Sequence, residues 1–319
     1  MDAILAQTKE ELKRFSAKKN SIKSLFIGGG TPSSIPHELY KPFFDLVHDY
    51  LMDSCEITTE ANPNSANLTW LDGMKKLGVS RVSFGVQSFD EEKLKFLGRN
   101  HNKTQAIQAI QNAKKAGFEN ISLDLIYATK LDTQELLEED IKTAMSLGIN
   151  HLSSYALTIE ENTKFQDKHE YTNNTTELAT FFIEKVKELG FEQYEISNFG
   201  QYQSIHNLGY WRGEDYIGVG SGAVGFLKNK RFYPPNEIEK YIENPLHVEI
   251  ESLSEKDLHV EKIFLALRSK IGFEKSILSE REQGKVTLLE EEKKLFFKEG
   301  RYYNQDYLLA DEIALFILD

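Results

Sequence analysis

The sequence predicts an α/β fold, a partial (βα)6 barrel that lacks its first strand, followed by a small, mostly helical C-terminal domain. Three observations carry this. Short β-rich runs alternate with amphipathic stretches whose apolar residues recur at spacings of three and four. Gly78, Gly117, Gly148 and Gly190 each follow a helical stretch, where a left-handed C-cap favours glycine. Helix, glycine and strand then repeat about every 30 residues, the rhythm of βα units on a parallel sheet.

The predicted strands are Ile22–Ile27, Glu56–Glu60, Arg81–Val86, Asn120–Tyr127, Asn150–Ala156 and Gln193–Ile196. Between them His37–Leu51, Leu68–Leu77, Lys103–Ala116, Thr133–Leu147 and Thr176–Leu189 read as helices. Six units in one run suit a barrel better than two nucleotide-binding halves. Met1–Phe15 places Ile4, Leu5, Leu12 and Phe15 at helical spacing, with no strand before it. A βα array normally opens on a strand, so an N-terminally truncated barrel with an exposed sheet edge at Ile22–Ile27 is expected. Beyond about residue 198 the pattern changes. Tyr210–Gly225 is too glycine-rich for a regular helix. From Leu253 the chain reads as helices Glu255–Lys270, Phe273–Glu282 and Leu288–Glu299, with room for a short hairpin. The division expected is a barrel domain over 1–250 and a C-terminal domain over 251–319.

The 38 basic and 50 acidic residues leave a net charge of −12, which disfavours binding to nucleic acid. The densest basic run, Lys228-Asn229-Lys230-Arg231, reads as a solvated loop. No apolar stretch is long enough for a membrane span and Met1–Ile4 is no secretory signal, so a cytoplasmic protein is expected. The single cysteine, Cys55, excludes a disulfide framework and any multi-cysteine metal site within this chain.

In an α/β barrel the C-terminal ends of the strands face the ligand. The polar residues at those ends form a series. Gly28-Gly29-Gly30-Thr31 follows the first strand, Glu60 ends the second, and Gln87 follows the third, with Arg99 beyond it. Asp124 lies in the fourth. Glycines let backbone N–H groups approach a ligand, and carboxylates accept from a ribose diol or an ammonium group. A buried carboxylate is also often structural, and Arg81 or Arg99 could pair with one here. The recurrence of donors and acceptors at one level favours a zwitterionic, ribose-bearing ligand. The glycine spacing does not match a dinucleotide fingerprint.

The segments Ile27–Pro32, Thr59–Pro63, Val82–Phe89, Asp124–Tyr127 and Tyr194–Phe199 resemble, in order and spacing, radical S-adenosylmethionine (SAM) proteins of the oxygen-independent coproporphyrinogen III oxidase-like subgroup. Tyr194–Phe199, His206–Trp211 and the C-terminal Leu308–Ile313 resemble the HemW heme chaperones within it. The resemblance implies that Gly29, Gly30 and Thr31 contact the methionine end of SAM. It implies that Glu60, Gln87, Arg99 and Asp124 line the rest of the site, with Ala156 near the adenine. It implies a [4Fe–4S] cluster as cofactor, heme as cargo with His206 as a contact, and apo-cytochrome recipients, including peripheral contact with membrane-bound ones. Taken alone, the His206-Asn207 pair reads as part of a solvated loop.

Two departures stand out. The family's Cys-x-x-x-Cys-x-x-Cys segment is absent, and Cys55 reads as a small buried hydrophobe in a different strand. Ala128-Thr129-Lys130 replaces the family's Gly-x-Pro. The function expected is heme chaperoning. The alternatives are oxidative decarboxylation of coproporphyrinogen III, or a nucleotide-binding module without a cluster.

Overall fold

In the computed structural model, which describes residues 1–159, 165–166, 168–173 and 175–319, the chain divides into two compact units. One comprises Ser24–Lys41 and Glu56–Gln203; the other comprises Met1–Lys23, Pro42–Cys55 and Ser204–Asp319.

The chain opens on α1 (Asp2–Arg14), then β1 (Ile22–Ile27), α2 (Lys41–Val47) and β2 (Leu51–Ala61). It continues with α3 (Leu68–Lys76), β3 (Arg81–Gln87), α4 (Glu91–Phe96), α5 (Lys103–Lys115) and β4 (Asn120–Tyr127). Next come α6 (Gln134–Ser146), β5 (His151–Ala156), α7 (Thr176–Glu188), β6 (Glu192–Gln193) and β7 (Asn198–Gly200). These strands form a seven-stranded sheet in the order β1-β2-β3-β4-β5-β7-β6, curled into a half-barrel. β2 to β5 pair in parallel. The predicted alternation is therefore present, and helix caps enforce it. Asn67, Asn102, Thr133 and Thr175 each accept a backbone N–H at the start of a helix, and Gly117 at φ +84° follows α5.

The predicted strand Gln193–Ile196 is different. It is a tight hairpin whose arms are β6 and β7, and β7 runs antiparallel to β5. The buried Glu195 makes the turn by accepting the Ser197 N–H at 3.0 Å, which a strand cannot offer. The predicted helix His37–Leu51 is broken into two 3-10 turns around α2, with Leu51 already in β2.

Within the same unit a buried lysine ties two loops together. Lys93 of α4 lies 2.6 Å from Asp132 and 3.5 Å from Asp140, with the Lys93 and Asp132 side chains wholly buried. Asp140 also accepts the Ser88 hydroxyl at 2.7 Å and the Phe89 N–H at 2.6 Å, while Asp132 accepts the Thr129 N–H at 2.7 Å.

The second unit contains α8 (Ile205–Trp211), β8 (Gly225–Leu227), β9 (Lys230–Tyr233), α9 (Ile238–Glu243), β10 (Glu249–Ser252) and α10 (Glu255–Leu267). It closes with β11 (Phe273–Glu274), α11 (Glu280–Glu291), β12 (Leu295–Lys298), β13 (Arg301–Asn304) and α12 (Ala310–Leu318). The helices predicted over Phe273–Glu282 and Leu288–Glu299 give way to a three-stranded sheet, β11-β13-β12, on either side of α11. Glu299 at φ +50° and Gly300 at φ +82° turn β12 into β13, the backbone of a tight hairpin. On α1 the buried face is Gln7, Thr8, Glu11 and Leu12 rather than a purely apolar one. The Gln7 Oε1 accepts the Gly220 N–H at 2.8 Å and the Tyr241 hydroxyl at 2.7 Å, which satisfies the burial.

Replacing Lys93 by Met keeps the volume but strands two buried carboxylates. Urea denaturation should show a loss of about 3–5 kcal/mol, against less than about 0.5 kcal/mol for Lys76→Ala at an exposed helix pair. Equal effects would deny Lys93 this role.

Candidate functional site

The glycine turn is fixed for two separate reasons. A Cβ on Gly28 would stand 2.7 Å from the Phe26 ring and 3.0 Å from the Glu60 carboxylate. Gly29 and Gly30 hold φ of +77° and +116° and face open space, with nothing within 4 Å of a Cβ position. The next residues anchor the turn to the end of β2. The Ser33 hydroxyl accepts the Asn62 N–H at 2.9 Å and lies 2.7 Å from the Ser65 hydroxyl. The Tyr40 hydroxyl donates to the Pro32 carbonyl at 3.0 Å. The result is an exposed backbone turn ending at Thr31, with the Glu60 carboxylate against Gly28 and Gly29.

Strand register then lines up the polar row. Glu60 pairs with Ser83, Ser83 with Ser122, and Asp124 with Ser153, so all lie on one face by the two-residue alternation. Ser83 donates to Asp124 at 3.3 Å. Burial pushes the Asp124 carboxyl up to about 6, opposed by a hydrogen bond from Ser153 and helped by the nearby Glu60 charge. Burial also raises Glu60, which the N–H of Gly29 partly offsets. Arg99 is close enough to feel Asp124, and burial lowers its guanidinium's affinity for its proton. Its Nε is buried with no hydrogen-bond partner among the described residues. Arg81 acts on Asp124 through its charge, which opposes the rise, while its guanidinium lies 3.1 Å from His151 Nδ1.

Gln87 is buried at the end of β3 with φ +72°, after an irregularity in the pairing between Phe84 and Gln87. A non-glycine residue rarely adopts that conformation, and a bulge next to a site re-aims the side chain that follows it. Ala128, where the family has glycine, holds φ +61° and is wholly buried. The departure therefore leaves the loop in the backbone shape a glycine would take. Ala156 ends β5 opposite Tyr127. Contacts and charges thus link Gly28 and Gly29 to Glu60, Glu60 to Asp124, and Asp124 to Arg99.

Two residues escaped the sequence reading. Glu195 is fully buried, its carboxyl is pushed up to about 7 by burial, and its Oε1 has no hydrogen-bond partner among the described residues. Tyr155 is 46% exposed, bonds to Ser153, and is held above the usual tyrosine range chiefly by desolvation, with Asp124, Glu195 and Glu60 adding to it. The two-residue alternation places Tyr155 on the face of Ser153, a signal present in the sequence.

In the other unit, His206 lies on α8, not in a loop. The Ser204 hydroxyl caps that helix by accepting the Asn207 N–H at 3.2 Å. The His206 ring meets Tyr210 edge-on at 4.9 Å. Cys55 lies within β2 and is half-exposed rather than buried.

Asp124 keeps its proton in the folded chain between about pH 4 and 6 while the unfolded chain releases it, so its ionisation lowers stability as pH rises through that window. Asp124→Asn should raise stability at pH 7.5 by up to about 3 kcal/mol, a gain that vanishes towards pH 4. Urea midpoints measured across pH 4–7.5 check this, and a pH-independent gain would refute it.

The sequence profile of the Radical SAM superfamily matches residues 3–144. The heme chaperone HemW of Bacillus subtilis is 34% identical over 301 residues, 88% of this chain and 79% of that protein. HemW of Lactococcus lactis is 31% identical over 85% of this chain and 75% of that protein. Coproporphyrinogen III oxidase from Escherichia coli, a radical SAM enzyme, superposes with a TM-score of 0.81 at 17% identity, over 99% of this chain and 82% of that one. That likeness is one of fold. By the extent and identity of these matches, this chain belongs to the HemW family of radical SAM proteins.

Proposed function

We propose that this chain is a HemW-type heme chaperone that binds heme through His206, passes it to apo-cytochromes, and works in the cytoplasm. The observation that carries the reading is the similarity to HemW proteins across most of the chain, including the segment that holds His206. His206 and Tyr210 sit one helical turn apart, so the imidazole and an aromatic ring share one face of α8. A neutral imidazole is a common axial ligand of heme iron. No helix among the described residues is long and apolar enough to cross a membrane.

For the nucleotide site, the residues present suit SAM. Arg99 carries an unsatisfied buried donor suited to the ligand carboxylate. Glu60 and Asp124 are acceptors for its ammonium or ribose groups, and an ammonium would draw the proton off Asp124. Gly29, Gly30 and Thr31 offer backbone and hydroxyl groups at the methionine end, with Gln87 and Ala156 completing the wall.

The family's [4Fe–4S] cluster is another matter. Three thiolates are needed, and this chain supplies Cys55 alone. Among the described residues no group of three or more His, Cys, Asp or Glu is placed to hold a metal ion. The residues present do not fit a cluster, and this favours a binding role for the nucleotide site of this chain over a radical one.

Isothermal titration should show Arg99→Ala weakening SAM binding by about tenfold or more. Titration of hemin should show His206→Ala with weakened binding and an altered Soret band. Unchanged affinities would reject each role.

A further inference from the structure

A cavity of about 480 Å³ opens beside α8 in the unit that contains Ser204–Asp319. Its walls are aromatic: Tyr210, Trp211, Tyr216, Phe226 and Phe264. A run of ring contacts leads into it from His206, through Tyr210 at 4.9 Å and Tyr216 at 4.6 Å to Phe226 at 5.9 Å. Its charge is the reverse of the chain's. Arg212, Lys228, Arg231, Lys262 and Arg268 line it against the single carboxylate of Glu261, in a protein of net charge −12.

Not all of these cations are available. Arg231 pairs with Glu261, and Arg268 pairs with Asp311 while lying 5.1 Å over the Phe264 ring. Arg212 has only a loose contact with Glu214, at 3.7 Å. Among the described residues Lys228 and Lys262 make no ion pair, and both are exposed. Lys228 is held in its turn at φ +59°, its backbone N–H donating to Asp215 at 2.6 Å. The basic run that reads as a solvated loop in the sequence thus contributes two of its members, Lys228 and Arg231, to a cavity wall.

Aromatic walls suit a planar π-system, and unpaired ammonium groups at the rim suit carboxylates. We infer that this cavity holds the carboxylate-bearing edge of a planar porphyrin dicarboxylate, with Lys228 and Lys262 as its carboxylate anchors. The inference rests on the heme-binding reading of His206 but assigns different residues and a different part of the ligand. One turn of α8 separates His206 from Tyr210, so the ring centre and the carboxylate edge are served by neighbouring groups.

The probe is metal-free protoporphyrin IX, which offers no iron to His206, compared with its dimethyl ester, which offers no carboxylates. Fluorescence titration of the full chain should show the free acid binding more tightly than the ester. The double variant Lys228→Gln/Lys262→Gln, at two exposed positions, should weaken the free acid by about tenfold and leave the ester unchanged. Equal affinity for acid and ester, an unaltered free-acid affinity in the variant, or displacement of the porphyrin by adenosine monophosphate at equal concentration would each overturn the proposal. Hemin titration of His206→Ala reads the axial role separately. An unchanged hemin spectrum there rejects His206 and leaves the result with the metal-free porphyrin to judge the anchors.

Discussion

The ammonium of Lys93 holds the segment after β3 and the segment after β4 in one arrangement, and the polar end of the sheet inherits its geometry from that tie. Ser88 and Phe89 follow directly on Gln87, and Thr129 follows directly on Ala128. Both Gln87 and Ala128 sit in the left-handed region without being glycine. Each such residue costs about 1–2 kcal/mol, so neither conformation persists unless its surroundings over-determine it. Asp140 and Asp132 do so by taking the N–H groups of Phe89 and Thr129 just beyond them, and Lys93 sets one ammonium against both carboxylates. A buried ion pair of this kind adds little net stability, but its removal leaves charge uncompensated. Its service here is to fix where two strand ends point.

The two ends of the same sheet are built on opposite terms. At the N-terminal ends of β3, β4 and β5, Arg81, Ser122 and His151 are joined, and His151 Nε2 lies 2.7 Å from the Tyr194 hydroxyl. Burial and the neighbouring guanidinium hold His151 neutral. These groups answer one another, leaving Arg81 Nε and the adjacent Thr58 Oγ1 unmatched among the described residues. At the C-terminal ends the accounts stay open. Glu60 and Asp124 are pushed towards their protonated forms, and Arg99 Nε and Glu195 Oε1 lack partners. An unmatched buried polar group costs about 1–3 kcal/mol. A ligand bearing both an ammonium and a carboxylate removes several such costs at once. The proposed binding end is thus set apart by carboxyls that burial pushes towards their protonated forms.

Much of this was legible in the sequence where a local rule acts alone. The Gly28–Thr31 turn, Glu60 and Asp124 follow from strand ends and period-two alternation. What stayed hidden depends on tertiary pairing. Nothing local distinguishes Lys93 from a solvated helical lysine, because its partners Asp132 and Asp140 are 39 and 47 positions away. Glu195 reads as part of a strand until its carboxylate is seen to close a turn. Leu295–Lys298 has helical spacing, yet the left-handed pair Glu299-Gly300 lets β12 fold back on β13. His206 reads as loop because α8 is short and runs into the glycine-rich stretch that follows, which hides the cap that Ser204 supplies.

The distribution of these groups also separates two chemistries that a family resemblance joins. Every residue of the proposed nucleotide site from Gly28 to Ala156 belongs to one compact unit, while His206 and the cationic aromatic cavity belong to the other. Each site draws its shape from its own unit: the first from strand register and the Lys93 tie, the second from α8, α10 and the β8–β9 turn. The requirement for three thiolates bears only on reductive cleavage at the first. Porphyrin recognition by aromatic faces, lysine ammonium groups and an imidazole requires no electron from a cluster. On the proposed reading a chain with one cysteine can therefore bind cargo without radical chemistry, and substitutions at Arg99 and at Lys228 should leave each other's ligand untouched.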